Sequence, residues 1–221
     1  MNILNFEAQE IDSLEEIVEK QKAIMFSFEP NLEKRVEEFD IDIYEDQMLL
    51  KEFLLERAVE EITEAGAAIK ANHVEHYKEE MIDVFNFLIE TAIILGDQYP
   101  IDVSDNEAVE NYFNGEEFFG DVDTLDANYT DEENQVHRVS NILKALYDLI
   151  QCIGELTNLL KQRPWRESQY PVDLITFKAR WKRVWLNFWL TQKYYGFNWK
   201  EFKAIWSKKY QVNKFRIESN Y

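Results

Sequence analysis

The chain contains very few of the residues that break helices and form tight turns. Only 6 of its 221 residues are glycine and only 4 are proline. Proteins built from sheets need frequent turns, and glycine and proline supply the backbone geometry of many of them. Because hydrophobic residues make up 46% of the chain, it can bury one sizeable core. The sequence therefore predicts a globular all-α protein, with a single helical domain over residues 1–221.

Local signals at the helix ends divide this domain into elements. Asp46 is a predicted N-cap, and Asn72 and Glu75 have the spacing of a capping box for a helix that ends before Gly96. Asn198 is the predicted N-cap of the last helix. Helices are therefore predicted at about 13–28, 46–70, 73–95, 139–161, 171–195 and 199–216.

An acidic segment interrupts this helical pattern at about residues 97–135. It contains 13 Asp and Glu residues, no Lys or Arg, and both glycine and proline. Such a composition is typical of loops with at most a short helix. We therefore predict an acidic insertion, whose aromatic residues favour packing on the body of the protein or a role as a lid.

The charge of the chain is strongly negative but unevenly distributed. The formal net charge is −19, which argues against a general nucleic-acid-binding protein. Residues 161–221 nevertheless contain 14 basic and only 4 acidic residues, whereas residues 1–160 contain 10 basic and 39 acidic residues. A phosphate ligand bridged by metal would fit between two such parts. Alternatively, the two parts only complement each other's charge in the fold.

Features of targeting and redox chemistry favour a reducing compartment. Cys152 is the single cysteine, so no disulfide can form within the chain. No basic region followed by an apolar run opens the sequence, so no signal peptide is predicted. Asp83, Asn86 and Glu90 interrupt the longest apolar stretch, which argues against a membrane span. We expect a cytoplasmic protein that binds no membrane.

Two pairs of carboxylates stand at helical spacing on consecutive predicted helices. Glu61 and Glu64 are three residues apart on one helix, as are Glu80 and Asp83 on the next. This spacing places both members of a pair on one helix face. Four converging carboxylates would repel one another without a cation, and all-oxygen ligation suits Mg²⁺, which also takes phosphate oxygens as ligands. The pattern indicates phosphate chemistry, whereas each pair alone is also typical of a solvated helix face.

The surroundings of Asp83 favour the metal interpretation. Residues 81–89 are apolar at all but two positions, so their helix is expected to be buried on nearly every side. A buried carboxylate must be paired or must bind a metal ion. No Lys or Arg lies between Asp83 and Arg138, so the neighbouring sequence offers no basic partner. We therefore predict a metal site formed by Glu61, Glu64, Glu80 and Asp83.

A set of hydrogen-bond donors lies on the last predicted helix. Lys209, Asn213 and Arg216 are spaced at i, i+4 and i+7 and therefore share one face. Such donors suit phosphate oxygens. The alternative is a solvated helix end, where cations interact favourably with the helix dipole.

The preceding helix carries an aromatic face between residues 181 and 189. It is formed by Trp181, Trp185, Phe188 and Trp189. We expect this face to belong to the core or to a dimer contact rather than to a platform for stacking bases.

These motifs resemble those of a known family, the all-α nucleotide pyrophosphatases related to MazG, and within it the dimeric dUTPases and phage dCTP pyrophosphatases. The family's metal pattern, Glu-x-x-Glu followed by Glu-x-x-Asp, is similar to the four carboxylates above. Its C-terminal pattern, Lys-x-x-x-Asn-x-x-Arg-x-x-x-Gly-Tyr, resembles Lys209, Asn213, Arg216 and Tyr221, with Asn220 in place of glycine. The resemblance covers about residues 15–95 and 140–221, and the acidic segment has no counterpart in it.

The resemblance implies an enzyme that hydrolyses a deoxynucleoside triphosphate to the monophosphate and pyrophosphate. It implies a helical bundle of the MazG-like or dimeric dUTPase type, two or three Mg²⁺ ions per site, and a homodimer in the cytoplasm of a bacterium or a phage-infected cell. Glu61 is the expected acceptor of the proton from the attacking water. Lys209 and Arg216 are expected to stabilise charge on the departing pyrophosphate. The aromatic face of residues 181–189 is the candidate dimer interface.

Two amide side chains are candidates for recognition of the base. The resemblance places Gln21 near the base, and Asn86 stands where relatives often carry histidine. An amide offers both a donor and an acceptor, and a uracil edge needs both. We therefore expect dUTP as the substrate, with dCTP or another deoxynucleoside triphosphate as the alternative. A non-catalytic acidic helical interaction protein is an alternative of another class.

Overall fold

The computed structural model describes residues 6–96, 131–162 and 170–219. In these ranges every regular element is a helix, which confirms the prediction of an all-α fold. The predicted acidic insertion lies outside the described residues except for its last part, residues 131–135. No helix of the described ranges combines the length and apolarity that crossing a membrane requires.

The elements before residue 97 form one group of neighbouring helices. Ser13 caps the first of them, because its Oγ accepts a hydrogen bond from the N–H of Glu16 at 3.2 Å. Gly96 ends the last of them with a φ of 69°, as predicted. The helices are α1 (Leu14–Phe28), α2 (Leu32–Glu37), α3 (Tyr44–Lys51), a π-helical segment (Glu52–Ala58), α4 (Val59–Lys70) and α5 (Val74–Leu95).

The predicted N-cap at Asp46 is wrong. Helix α3 begins two residues before it, and Ile43 occupies the cap position without a side-chain hydrogen bond. The Oδ2 of Asp46 instead accepts a hydrogen bond from the backbone N–H of Asp40 at 2.9 Å. The carboxylate therefore stabilises the connection that precedes α3 rather than the helix itself.

The connection between α4 and α5 also differs from the predicted capping box. Asn72 adopts a left-handed backbone with a φ of 59°. Its N–H and that of His73 donate to carbonyl groups of the last turn of α4, at 3.1 and 2.9 Å, in a Schellman arrangement. Asn72 therefore ends α4, and α5 starts at Val74 without a side-chain cap. Glu75 forms an ion pair with Lys78 at 3.0 Å instead of capping the helix.

Three longer helices form the rest of the described chain. They are α6 (Asp131–Thr157), α7 (Leu174–Tyr195) and α8 (Trp199–Glu218). Helix α6 starts eight residues before its predicted start and ends four residues early, where i→i+3 hydrogen bonds tighten the chain after Thr157. Asp173 starts α7, because its Oδ1 accepts hydrogen bonds from two N–H groups of the first turn at 3.2 Å. Asn198 caps α8 as predicted, with Oδ1 2.9 Å from the N of Glu201.

Helix α5 is the central element of the packing. It contacts α1, α4, α8 and the π-helical segment, while α6 packs against α7. Phe85 on α5 packs against Phe188 and Phe202, with ring centroids 5.8 and 5.0 Å apart. This position explains why the apolar residues of α5 surround the helix, since it has neighbours on several sides.

The aromatic face of residues 181–189 belongs to this core. Trp181, Trp185, Phe188 and Trp189 are all buried against other residues of the same chain. Trp185 and Trp189 both pack on Phe85 at about 6 Å between ring centroids. The face therefore cannot supply a dimer interface, and the core alternative of the prediction is the correct one.

Candidate functional site

A cavity of about 440 Å³ brings the two predicted groups of site residues together. Its walls come from α1, the π-helical segment, α4, α5 and α8. The acidic wall contains Glu61, Glu80 and Asp83, and the wall from α8 contains Lys209, Asn213 and Arg216. Gln21 and Asn86 line the same cavity. Tyr221 lies outside the described residues.

The short connection between α4 and α5 positions the acidic wall. Two helices joined by so few residues run antiparallel side by side, and α4 and α5 pack closely along their length. Glu61 near the start of α4 thereby faces the middle of α5. Glu80 and Asp83 lie one turn apart on that part of α5 and on the same face.

The carboxylates of Glu61, Glu80 and Asp83 converge on one point. Each offers an oxygen atom, and these atoms lie within 4.8 Å of one another. Burial, a hydrogen bond with Glu80 and repulsion from Asp83 raise the pKa of Glu61 to about 8. A bound cation would remove this repulsion, and oxygen ligands are those that hard divalent cations prefer. These three residues therefore could hold a metal ion.

Glu64 occupies a different position from the other three predicted ligands. It is exposed, and its carboxylate groups with His76 and Glu80 in a second set of atoms within 4.8 Å. His76 places its Nδ1 2.9 Å from the Oε1 of Glu80. Glu80 is therefore common to both groups, and Glu64 approaches the first group only on the side of Glu80.

Asp83 has a basic partner that its neighbouring sequence does not reveal. The Nζ of Lys209 lies 2.6 Å from its Oδ2. Burial raises the pKa of Asp83, whereas attraction to Lys209 opposes this shift. Burial acts to lower the pKa of Lys209, but Asp83 together with the charges of Glu80 and Glu79 outweighs burial, so that the pKa of the ammonium is raised. The neighbouring sequence offers Asp83 no basic partner, but long-range packing of α8 on α5 supplies one, so the absence of a nearby basic residue does not by itself favour a metal ion.

The predicted face of α8 is confirmed as a continuous wall of the cavity. Residues 209–216 lie within the unbroken helix Trp199–Glu218, so Lys209, Asn213 and Arg216 project from one side of it. The charge of Arg216 also acts to lower the pKa of Asp83. The positive charges of α8 therefore face the carboxylates of α4 and α5 across the cavity.

The remainder of the cavity combines amide groups with apolar side chains. The Nε2 of Gln21 donates to the Oε1 of Glu90 at 2.8 Å. The Nε1 of Trp206 donates to the Oδ1 of Asn86 at 2.8 Å. Apolar contacts come from Ile24, Met25, Phe28 and Phe87. This part of the cavity suits a flat polar ring rather than a phosphate.

Three charged cavity residues, Glu29, Arg57 and Glu90, are missing from the sequence-based prediction. Glu90 is buried, and burial raises its pKa to about 7. The argument that singled out Asp83 as a carboxylate in an apolar helix applies equally to Glu90 and could have found it. Arg57 lies in the π-helical segment and binds Glu29 and Glu52 at 2.7 and 2.5 Å. No pattern in the sequence predicts the π-helical segment in which Arg57 lies, and so its position at the cavity could not be predicted.

Comparisons with protein-family models, with curated proteins and with solved structures find no match for this chain. The function must therefore be argued from the cavity itself and from the motifs that line it.

Proposed function

We propose that the chain is a Mg²⁺-dependent nucleotide pyrophosphohydrolase of the MazG-like type, which hydrolyses a deoxynucleoside triphosphate to the monophosphate and pyrophosphate. The observation that carries this proposal is the arrangement of opposite charges around one cavity. Carboxylates able to hold a cation form one wall, and Lys209 and Arg216 face them from another. A metal-bound polyphosphate needs both kinds of group.

Glu61, Glu80 and Asp83 are the residues that would hold Mg²⁺. Their oxygen atoms and their proximity suit a hard cation, and the raised pKa of Glu61 reflects the unbalanced negative charge among them. Glu64 would contribute on the side of Glu80. When bound, the ion would lower the pKa of a water molecule and polarise phosphate oxygens. The expected number of ions, two or three, comes from the family resemblance.

Side chains of the protein supply the remaining parts of the reaction. Glu61 belongs to the group with Glu80 and Asp83 and would accept the proton of an attacking water. Lys209, Asn213 and Arg216 offer donors to the phosphate oxygens. The positively charged side chains of Lys209 and Arg216 would also stabilise charge on the departing pyrophosphate. Lys209 can contribute only after its ammonium group is shared between Asp83 and the substrate.

The α5 residues that line the cavity extend from Glu80 to Glu90, so a nucleotide bound there would lie along α5. Asp83 and Glu90 are seven residues apart, which corresponds to roughly 10 Å of helix rise. Phosphates at the end near Asp83 would leave the base near Gln21, Asn86 and Phe87. The two amides can satisfy a uracil edge, so dUTP is the expected substrate, and dCTP is the alternative because cytosine also presents donors and acceptors.

The test is a panel of deoxynucleoside triphosphates incubated with the full chain and Mg²⁺. We expect release of pyrophosphate and not of orthophosphate, fastest for dUTP, and none in the presence of a chelator. Faster hydrolysis of dCTP than of dUTP would show that cytosine is the preferred base, while the proposed reaction would still hold. Absence of pyrophosphate release for every nucleotide would overturn the proposal and favour the non-catalytic interaction protein.

The family resemblance also leads us to propose a homodimer. Because the aromatic face of Trp181, Trp185, Phe188 and Trp189 is buried within the chain, the interface must use other surfaces. Light scattering coupled to size-exclusion chromatography tests this, and a mass of about 53 kDa is expected for two chains of 26.5 kDa.

A further inference from the structure

A hydrogen bond from the indole of Trp206 fixes the orientation of the Asn86 amide. Trp206 is fully buried in α8, and its Nε1 lies 2.8 Å from the Oδ1 of Asn86. An indole N–H can only donate, so the amide oxygen must face Trp206 and the amide nitrogen must point elsewhere. Asn86 lines the cavity, and its nitrogen is not among the fully buried atoms that lack a partner. The donor end of Asn86 is therefore open to the cavity.

The Gln21 amide is held in the opposite sense. Its Nε2 donates to the Oε1 of Glu90 at 2.8 Å, and both side chains are buried. In this hydrogen bond the Oε1 of Glu90 accepts, so the amide nitrogen of Gln21 faces Glu90 and its oxygen points away. The Oε1 of Gln21 has no hydrogen-bond partner among the described residues, and it is not one of the fully buried atoms that lack a partner. The acceptor end of Gln21 is therefore open to the cavity.

We propose that Trp206 and Glu90 are positioning residues that determine base specificity, because they fix one amide as a donor and the other as an acceptor toward the bound base. This inference rests on the proposed nucleotide pyrophosphohydrolase function. Trp206 does not line the cavity, whereas Glu90 does, and each acts through the amide that it orients. The fixed pair accepts a base edge that offers one acceptor and one donor in the matching order.

A fixed pair discriminates more strongly than two free amides. A free amide can turn over and exchange its donor and acceptor ends to suit a different base. A fixed amide cannot, so a base with the opposite order leaves buried polar groups unpaired, which is costly. Loss of either positioning residue should therefore weaken the preference between bases more than it weakens binding of the triphosphate.

The first variant is Trp206→Phe, which keeps an aromatic ring and removes the indole N–H. We expect the ratio of kcat/KM between the preferred nucleotide and the less preferred one of dUTP and dCTP to fall about tenfold. Inhibition by inorganic tripolyphosphate, which has no base, should stay unchanged. The matched control is Trp181→Phe, because Trp181 is an equally buried tryptophan whose Nε1 has no hydrogen-bond partner among the described residues.

The second variant tests the other amide and does not depend on the folding of the first. In Glu90→Gln, the amide at position 90 can donate or accept, so Gln21 can bind it in either orientation. The ratio of kcat/KM between the preferred and the less preferred nucleotide should therefore fall. The double variant Gln21→Glu with Glu90→Gln again presents an acceptor oxygen to the cavity, because the new amide at position 90 donates to the new carboxylate at position 21. Rescue of base preference by the double variant would identify orientation, and not packing, as the role of Glu90.

The outcomes separate this inference from the function on which it rests. If the wild-type chain releases no pyrophosphate from any nucleotide, the proposed function fails and the inference fails with it. If the wild type hydrolyses dUTP and dCTP equally, or if both variants lower the two values of kcat/KM in proportion, only the inference is overturned. A lower ratio in both variants with unchanged inhibition by tripolyphosphate supports it.

Discussion

Lys209 and Asp83 form an ion pair of 2.6 Å that joins α8 to α5 inside the candidate site. Less than a fifth of each side chain is exposed to solvent, so solvent screens the attraction between the two charges only weakly. The ammonium group occupies a carboxylate oxygen that a metal ion would otherwise use. A divalent cation bound as proposed would therefore compete with Lys209 for Asp83 and would free Lys209 for phosphate.

Replacement of Lys209 by methionine tests this competition. The metal-free variant should lose about 1–3 kcal/mol of stability, because Asp83 is left largely buried without its cation. Mg²⁺ should then raise the Tm of the variant more than that of the wild type, since no ammonium group competes. Thermal melts with chelator and with Mg²⁺ provide both values. Lys214→Met is the control, because Lys214 lies on the same helix in an exposed pair with Glu218. If Mg²⁺ raises the Tm of Lys209→Met and of the wild type by the same amount, Lys209 does not compete with the metal.

The carboxylates themselves should be essential for turnover but not for folding. Glu61→Gln and Asp83→Asn are each expected to abolish release of pyrophosphate while the helical circular dichroism spectrum is retained. Glu61→Gln should also stabilise the metal-free protein at neutral pH, because folding must otherwise either keep Glu61 protonated or add a like charge to the group. Glu60→Gln, an exposed neighbour on the same helix, is the control. Near-normal activity of Asp83→Asn in Mg²⁺ would rule out the metal-site assignment.

Arg216 is expected to act through phosphate contacts. Its replacement by alanine removes a charge-assisted contact worth about 1.5–3 kcal/mol, which corresponds to a loss of roughly ten- to a hundredfold or more in kcat/KM. Steady-state kinetics of Arg216→Ala beside Lys214→Ala measures this loss. If both variants keep the kcat/KM of the wild type, the end of α8 is only a solvated helix terminus.

The stability of the metal-free protein should fall as the pH rises. In the folded chain the pKa of Glu61 is raised to about 8 and that of Glu90 to about 7, whereas the unfolded value is 4.5 for both. Between these values the folded state binds more protons than the unfolded state, so stability is full below about pH 4.5 and is lost as the pH approaches 8. Urea unfolding at pH 5 and pH 8 in chelator measures the change. Glu61→Gln should reduce the difference, and an unchanged difference would show that Glu61 is not the group responsible.

The sequence allowed the elements to be predicted where a local signal determines them. Gly96 and Asn198 set helix ends through their own backbone or side chain, and both were predicted correctly. Asn72 was assigned to the wrong helix because an asparagine can both cap a helix start and adopt the left-handed conformation that ends one. Only the observed φ of 59° distinguishes the two.

The sequence predicted eight of the eleven polar and charged residues that line the candidate site, but not how they pair. Helical spacing placed Glu80 with Asp83 and Lys209 with Arg216, since such pairs share a face in any helix. The contact between Lys209 and Asp83 depends on how α8 packs against α5, which no local pattern specifies. The same limit applies to Trp206 and Asn86, which are 120 residues apart in the chain. The contacts across helices therefore required the fold.

The two ends of the acidic group should differ in their importance. Glu80 belongs both to the group with Glu61 and Asp83 and to the group with His76 and Glu64, whereas Glu64 is exposed and belongs only to the second. Glu80→Gln should therefore abolish turnover. Glu64→Gln should keep measurable activity and mainly raise the Mg²⁺ concentration needed for half-maximal rate, by about tenfold, a value typical for loss of a supporting group at a metal site.

Magnesium titrations of the initial rate at saturating nucleotide distinguish the two variants. Glu60→Gln again serves as the control, because it removes one negative charge from the same helix without touching the cavity. Equal and complete loss of activity in Glu64→Gln and Glu80→Gln would show that Glu64 moves into the first group when metal binds. Such a result would mean that all four carboxylates act as direct ligands and that the first turns of α4 rearrange during binding.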